Sequence, residues 1–161
     1  APPAFRGVRA RGERCPVSAS RYFTTTHVIA FEETNLVGNV YYVNHLRWQG
    51  RCRELFLKEH APGVLKELAL GLALVTTHAS CDYLEELAAF DTVEIRMRLV
   101  EENQNRLTLG FETWRVAPGA PVLAARGRQQ IASMRKEGDA YRPAPLPAEL
   151  KRALDPYRSA R

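Results

Sequence analysis

The stretch Glu33-Thr34-Asn35-Leu36-Val37-Gly38-Asn39-Val40-Tyr41-Tyr42-Val43-Asn44-His45-Leu46-Arg47-Trp48 decides how this chain folds, because its two halves obey different backbone rules. Up to Asn39 the residues are loop formers, and Gly38 is free to take a positive φ. From about Val43 the pattern turns helical: Trp48, Cys52, Leu55, Phe56 and Glu59 share one spacing of three and four, and Leu46, Gln49, Arg53 and Leu57 share another. A helix from Val43 to His60 is predicted, with Asn44 near its start and Pro62-Gly63 ending it. Gly50 inside it costs up to about 1 kcal/mol relative to Ala and suggests a close approach of backbone or ligand. The first-turn amides of such a helix lack partners and carry partial positive charge, so they can polarise a carbonyl aimed at them.

Strands lie on both sides of this helix. Residues 21–31 are rich in β-branched and aromatic types, and 72–85 form a long run containing Leu74, Val75, Thr76 and Thr77. In 92–100, Val93, Ile95, Met97 and Leu99 alternate with Thr92, Glu94, Arg96 and Arg98, and Leu107, Leu109 and Phe111 alternate after the polar turn 101–105. Pro118-Gly119 closes a hairpin into a last strand over 121–135. A short second helix near 63–69 and a terminal helical turn within 147–155 complete the reading. The predicted architecture is a single α+β domain, 21–138, with an antiparallel five-stranded sheet wrapped around one long helix in the order β-α-β-β-β-β. It is framed by a mobile basic N-terminal arm, 1–20, and a Pro-rich C-terminal tail, 139–161; seven of the ten prolines lie in 1–16 and 143–156. One helix covers only one sheet face, so oligomerisation is expected.

The chain of 161 residues is 45% hydrophobic and 25% charged, enough for a packed core. No apolar run is long enough to span a bilayer, no apolar stretch follows the N-terminal arginines as a signal peptide requires, and three cysteines without paired spacing signal neither a disulfide framework nor a zinc site. A reduced, cytoplasmic setting with no metal, no cofactor and no membrane partner is the expectation. The net charge of +5 is concentrated at the two ends, without a nucleic-acid recognition motif beside it. A basic surface attracts an acidic protein partner as readily as nucleic acid.

Phe31 through Phe56, together with the element order, resembles the hot-dog-fold acyl thioesterases of the 4-hydroxybenzoyl-CoA thioesterase type. Gly38, Val40, Tyr42, Asn44, Arg47 and Trp48 carry the resemblance, which covers roughly residues 21–135. That family places an Asp three residues before the Gly; here the position holds Asn35, and a carboxylate used by related enzymes early in the helix is replaced by Gln49 and Gly50. An amide can neither ionise nor take a proton. Asn35 together with Arg53 on the helix is similar to the thioesterases that accompany enediyne iterative polyketide synthases. The resemblance implies hydrolysis of a polyene β-keto or β-hydroxy acyl thioester from an acyl carrier protein, with a product able to decarboxylate to a methyl ketone. It also implies a homotetramer built as a dimer of dimers.

On this reading Asn35 orients water, the first-turn amide of Tyr42 or Val43 polarises the carbonyl, and Arg53 stabilises developing negative charge. Gly38, Tyr41, Val43, His45, Leu46 and Gln49 would line the substrate. Each residue has a plainer alternative. Asn35 can be a turn residue bonded to its own backbone, Arg53 an ion-pair partner or subunit contact, and Tyr41 and Tyr42 core or interface aromatics. His45, Glu32 and Glu33 are reserve candidates for a general base. Three other functions compete: a thioesterase for coenzyme A substrates, a non-catalytic acyl-binding module that shields a reactive polyene, and a basic-tail nucleic-acid binder.

Overall fold

The computed structural model describes residues 21–160. The basic arm, 1–20, lies outside the described residues. Strand β1 (Phe23–Val28) leads through a 3-10 turn at Phe31–Glu33 into helix α1 (Val43–His60), followed by α2 (Pro62–Ala69). Four long strands come next: β2 (Leu72–Tyr83), β3 (Thr92–Glu102), β4 (Arg106–Ala117) and β5 (Val122–Glu137). The short β6 (Ala140–Pro143), helix α3 (Ala148–Leu154) and a 3-10 turn at Asp155–Tyr157 complete the chain.

The sheet runs β1-β3-β4-β5-β2 with every named pair antiparallel, and β6 adds a sixth strand beside the end of β5. Because β1 pairs with β3 rather than β2, the helical segment between them is carried across the sheet, and α1 packs against β1, β2, β3 and β5. The alternation in β3 explains the seating: Val93, Ile95, Met97 and Leu99 are buried under α1, while Glu94, Arg96 and Arg98 face the other way. On α1, Trp48, Cys52 and Phe56 are buried and Arg47, Arg51, Glu54 and Lys58 are solvated. Ala61 ends the helix, and Pro62 opens α2, where its missing N–H removes no helical bond.

Two sequence expectations change. Gly50 meets nothing where a Cβ would stand, so no close approach explains it; the close approach is at Gly127 on β5, where a Cβ would collide with the Gln49 amide. The described part of 139–161, read as a tail outside the domain, instead adds to its core. Leu146, Leu150, Leu154 and Tyr157 are buried, and Phe23, Phe56 and Tyr157 form an edge-to-face aromatic set with centroids 5.3 to 6.3 Å apart. Backbone bonds hold the segment down, from Leu146 N to Gln104 O at 3.0 Å and from Ser159 N to Leu99 O at 2.8 Å. Leu154→Ala is therefore expected to destabilise the fold by about 2–5 kcal/mol in urea unfolding, the cost of a core cavity; a change under ~0.5 kcal/mol would show the segment to be dispensable.

Candidate active site

The loop before α1 is organised by Glu33. Its carboxylate accepts hydrogen bonds from Trp48 Nε1 at 2.7 Å and Ala30 N at 2.8 Å, and meets His27 Nε2 at 2.7 Å. Its carbonyl accepts from Asn44 Nδ2 at 2.8 Å and Tyr41 N at 2.9 Å. Burial alone would raise the Glu33 pKa, but the bonds from Ala30, Trp48 and His27 outweigh it and hold the carboxyl below its usual range. Glu33 is thus a tether between β1, the loop and α1. Asn44, near the predicted helix start, reaches back to Glu33 rather than capping the helix.

Beyond Glu33 the chain makes a tight turn. Gly38 takes φ +92° and donates its N–H to Asn35 O at 2.9 Å, while Asn35 Oδ1 accepts from Val37 N at 2.9 Å. The plainer role for Asn35, support of its own turn, is realised through Oδ1. Nδ2 is left as a donor with no acceptor among the described residues. Asn35 lines an open pocket of about 600 Å³ with Phe31, Glu32, Thr34, Tyr41, Asn44 and Arg47, so the reserve base Glu32 stands in the same pocket. Phe31, Leu36, Val37, Tyr41 and Tyr42 all expose apolar surface around it. At the start of α1, Asn44 N–H is taken by Tyr41 O, and no described residue accepts from the N–H of Tyr42 or Val43. The N–H groups of Tyr42 and Val43 stand at the positive end of an 18-residue helix. The Tyr42 carbonyl accepts the Tyr83 hydroxyl at 3.1 Å.

Arg53 lies elsewhere. It is ten residues along α1 from Val43, roughly 15 Å at the helical rise, and its Nη1 donates to Thr76 Oγ1 on β2 and Gln129 Oε1 on β5, both at 3.0 Å. Gln129 in turn donates to Gln49 Oε1 at 3.5 Å, and Gln49 Nε2 reaches Ser80 O at 3.4 Å. This amide relay fits between helix and sheet because Gly127 has no side chain to block it. Arg53 forms no ion pair among the described residues. Burial pulls its pKa down from the usual value. The same side chain borders a narrow, wholly apolar crevice of about 20 Å³, lined by Phe56, Leu57, Leu74, Leu109, Ile131 and Leu154 among others.

A single chain therefore keeps Asn35 and the first-turn amides apart from Arg53. Of the other predicted residues, Gly38 shapes the turn and Tyr41 lines the loop pocket. Val43 and Leu46 are partly buried on the first turns of α1, and Gln49 is buried in the relay. His45 is 4% exposed, with its ring 5.0 Å from Trp48 and 5.2 Å from Tyr83, and its Nδ1 has no partner. The relay residues Gln129 and Gly127 escaped sequence reasoning; a glycine between arginines in strand β5 was the available signal.

Burial lowers the His45 pKa to about 4, so the ring is neutral near pH 7. A histidine depressed in the fold gives stability that is complete above its unfolded pKa and is lost as pH falls through the folded one. Unfolding free energy is therefore expected to drop between pH 6.5 and pH 4, by as much as roughly 3 kcal/mol. His45→Phe should flatten that slope in urea titrations run across the interval. An unchanged slope would place the effect on another group.

Comparisons with known proteins agree on the family. The model of the thioesterase-like superfamily matches residues 29–154. A solved structure of the dynemicin thioesterase, described as showing induced-fit and allosteric effects upon polyene binding, is 50% identical, covering 88% of this chain and 100% of its own at a TM-score of 0.85. A 1,4-dihydroxy-2-naphthoyl-CoA thioesterase from Synechocystis is 19% identical over 83% of this chain and 96% of its own, at a TM-score of 0.74. A variant 4-hydroxybenzoyl-CoA thioesterase complexed with 4-hydroxybenzoyl-CoA is 18% identical over 84% and 99%, also at 0.74. These two show likeness of fold. No curated protein matches the chain.

Proposed function

The chain belongs to the thioesterase-like superfamily and is a thioester hydrolase, and within that class we propose that it releases a polyene β-keto or β-hydroxy acyl chain from the acyl carrier protein of an enediyne iterative polyketide synthase. The observation that carries this reading is the 50% identity to the dynemicin thioesterase across the whole of that chain. The described site fits it. The residue three before the turn glycine is an amide; of the two nearby carboxylates, Glu33 is committed to Trp48, Ala30 and His27, while Glu32 lines the pocket with Asn35.

The proposed mechanism works without a general base on the turn. The thioester carbonyl sits against the Tyr42 and Val43 amides, Asn35 Nδ2 donates to the carbonyl oxygen or to the attacking water, and Arg53 stabilises negative charge on the β-oxygenated head. Water adds to the carbonyl carbon, the C–S bond breaks, and the thiol leaves with a proton. The carboxylic acid so formed, if it carries a β-ketone, loses carbon dioxide to give a methyl ketone. Because a positioned base commonly contributes 10²–10⁴-fold, turnover is slow by the standards of carboxylate-bearing thioesterases.

The separation of Asn35 from Arg53 supports an active site shared between copies of the chain. Strand β2 is an edge of the sheet, exposed from Val75 to Ala79 beside the Arg53–Thr76 contact, and the loop pocket is rimmed by uncovered aromatics. Pairing of β2 with its copy would extend the sheet and place one chain's loop near the other's helix, and two such dimers would give the tetramer. Light scattering at micromolar concentration is expected to give an even-numbered oligomer; a monomer would sink the shared site.

The catalytic proposal is tested by thiol release from matched β-ketoacyl thioesters on carrier protein and on coenzyme A. Wild type should prefer the carrier-bound substrate, and Asn35→Ala and Arg53→Ala should each lose about tenfold or more. Preference for coenzyme A would favour the alternative substrate class. No release above buffer, with retained acyl binding, would leave a non-catalytic acyl-binding module.

A further inference from the structure

The face of the sheet turned away from α1 is organised in rows by the strand register. One row runs Arg96–Glu112–Arg126–Asp82 across β3, β4, β5 and β2, and the next runs Arg98–Gly110–Arg128–Ser80. The first row balances its charges: Arg96 bonds Glu94 at 2.7 Å and stacks on Trp114, and Arg126 lies between Glu112 and Asp82. The second row holds two arginines and no carboxylate. Among the described residues neither Arg98 nor Arg128 forms an ion pair.

Between those arginines stands Gly110. A Cβ there would press on Val100 Cγ2 at 2.8 Å, and it would lie 3.7 Å from both Cγ and Nε of Arg98. The missing side chain thus lets Val100 and the Arg98 side chain lie down against the β4 backbone between the two arginines. Stacking of Arg98 on Tyr22, 5.4 Å from the ring centroid, fixes that guanidinium's position. Arg128 stands on the far side, roughly 10 Å from Arg98 across two strand spacings, a span that one tetrahedral oxyanion bridges with long arginine side chains. Ser80 and Ser159 line the same groove, of about 430 Å³, together with Arg126, Glu112 and Asp82 of the first row, so the groove holds three arginines against two carboxylates and a surplus of positive charge. We propose that Arg98, Gly110 and Arg128, with Ser80 and Ser159 beside them, form a binding site for a phosphoryl group on the outer face of the sheet.

Two sources offer that chemistry: the phosphodiester of a substrate's pantetheine arm, or free phosphate. The first rests on the thioesterase reading; the site itself does not, since binding is measured without turnover. Calorimetric titration of the full chain with inorganic phosphate is expected to saturate in the wild type. Affinity should fall about tenfold in Arg98→Ala and in Arg128→Ala, and stay within twofold in Arg142→Ala, which removes the same charge outside the groove. Matching far-ultraviolet dichroism and melting curves establish that all three variants are folded. Titration that does not saturate in the wild type, or equal weakening in all three variants, overturns the site. The sources separate with pantetheine 4′-phosphate and pantetheine. If the phosphorylated form binds more tightly only where Arg128 is present, and KM for its thioester rises in Arg128→Ala at constant kcat, the occupant is the substrate's phosphate. If inorganic phosphate binds and the phosphorylated arm gains nothing over pantetheine, the occupant is free phosphate.

Discussion

The three bonds that converge on the Glu33 carboxylate set the geometry on which the proposed chemistry depends. Without them the segment from Phe31 to Tyr42 would be tied down chiefly at its far end, where Val40 N–H donates to Leu87 O at 2.7 Å and Asn39 bridges Ala88. Trp48 and His27 pull Glu33 from two different elements, and its carbonyl then collects Asn44 and Tyr41 from the beginning of the helix. The turn carrying Asn35 and the free amides of Tyr42 and Val43 is thereby held against a rigid scaffold. Charge-assisted bonds to a partly buried carboxylate are stronger than neutral ones, which suits a tether that must resist the pull of a bound substrate. The Glu33 carboxylate is occupied in holding the loop, which leaves Glu32 as the carboxylate that lines the Asn35 pocket.

Much of the fold was legible because it follows from periodicity. The alternation in β3 and the three-four spacing of α1 each bury one face, and both appear within a residue or two of their expected limits. The helical turn within 147–155 was legible, but the packing of the C-terminal segment into the core was not, for a physical reason. Its prolines read as a tail, yet Pro143, Pro145 and Pro147 only keep the backbone extended until Ala148, after which Leu150 and Leu154 sit one turn apart on a helix face. Composition reported the stiff part, the spacing the helix, and neither showed that the helix seals the core.

The candidate site was legible by residue type and less so by arrangement. Asn35 stands out by the carboxylate it lacks, but only geometry shows that its oxygen is spent on the turn and its nitrogen is not. Arg53 falls on the predicted helix face, while its partners Thr76 and Gln129 come from strands that no local pattern ties to it. The Gln49–Gln129 relay depends on an absent side chain at Gly127, and a single strand glycine has many explanations until the residue opposite it is known. Long-range pairing was the missing information in each case.

The order in which the chain emerges during synthesis acquires significance from the segment that ends at Tyr157. Helix α1 leaves the ribosome early, yet β1 waits for β3, β2 waits for β5, and the apolar seam beside Phe56 and Leu107 is sealed only by Leu150 and Leu154. Nearly the whole domain must therefore be available before its interior can exclude water. Such non-local closure slows folding and leaves a partly made chain sticky. The nascent polypeptide is at its most vulnerable just before the last leucines arrive.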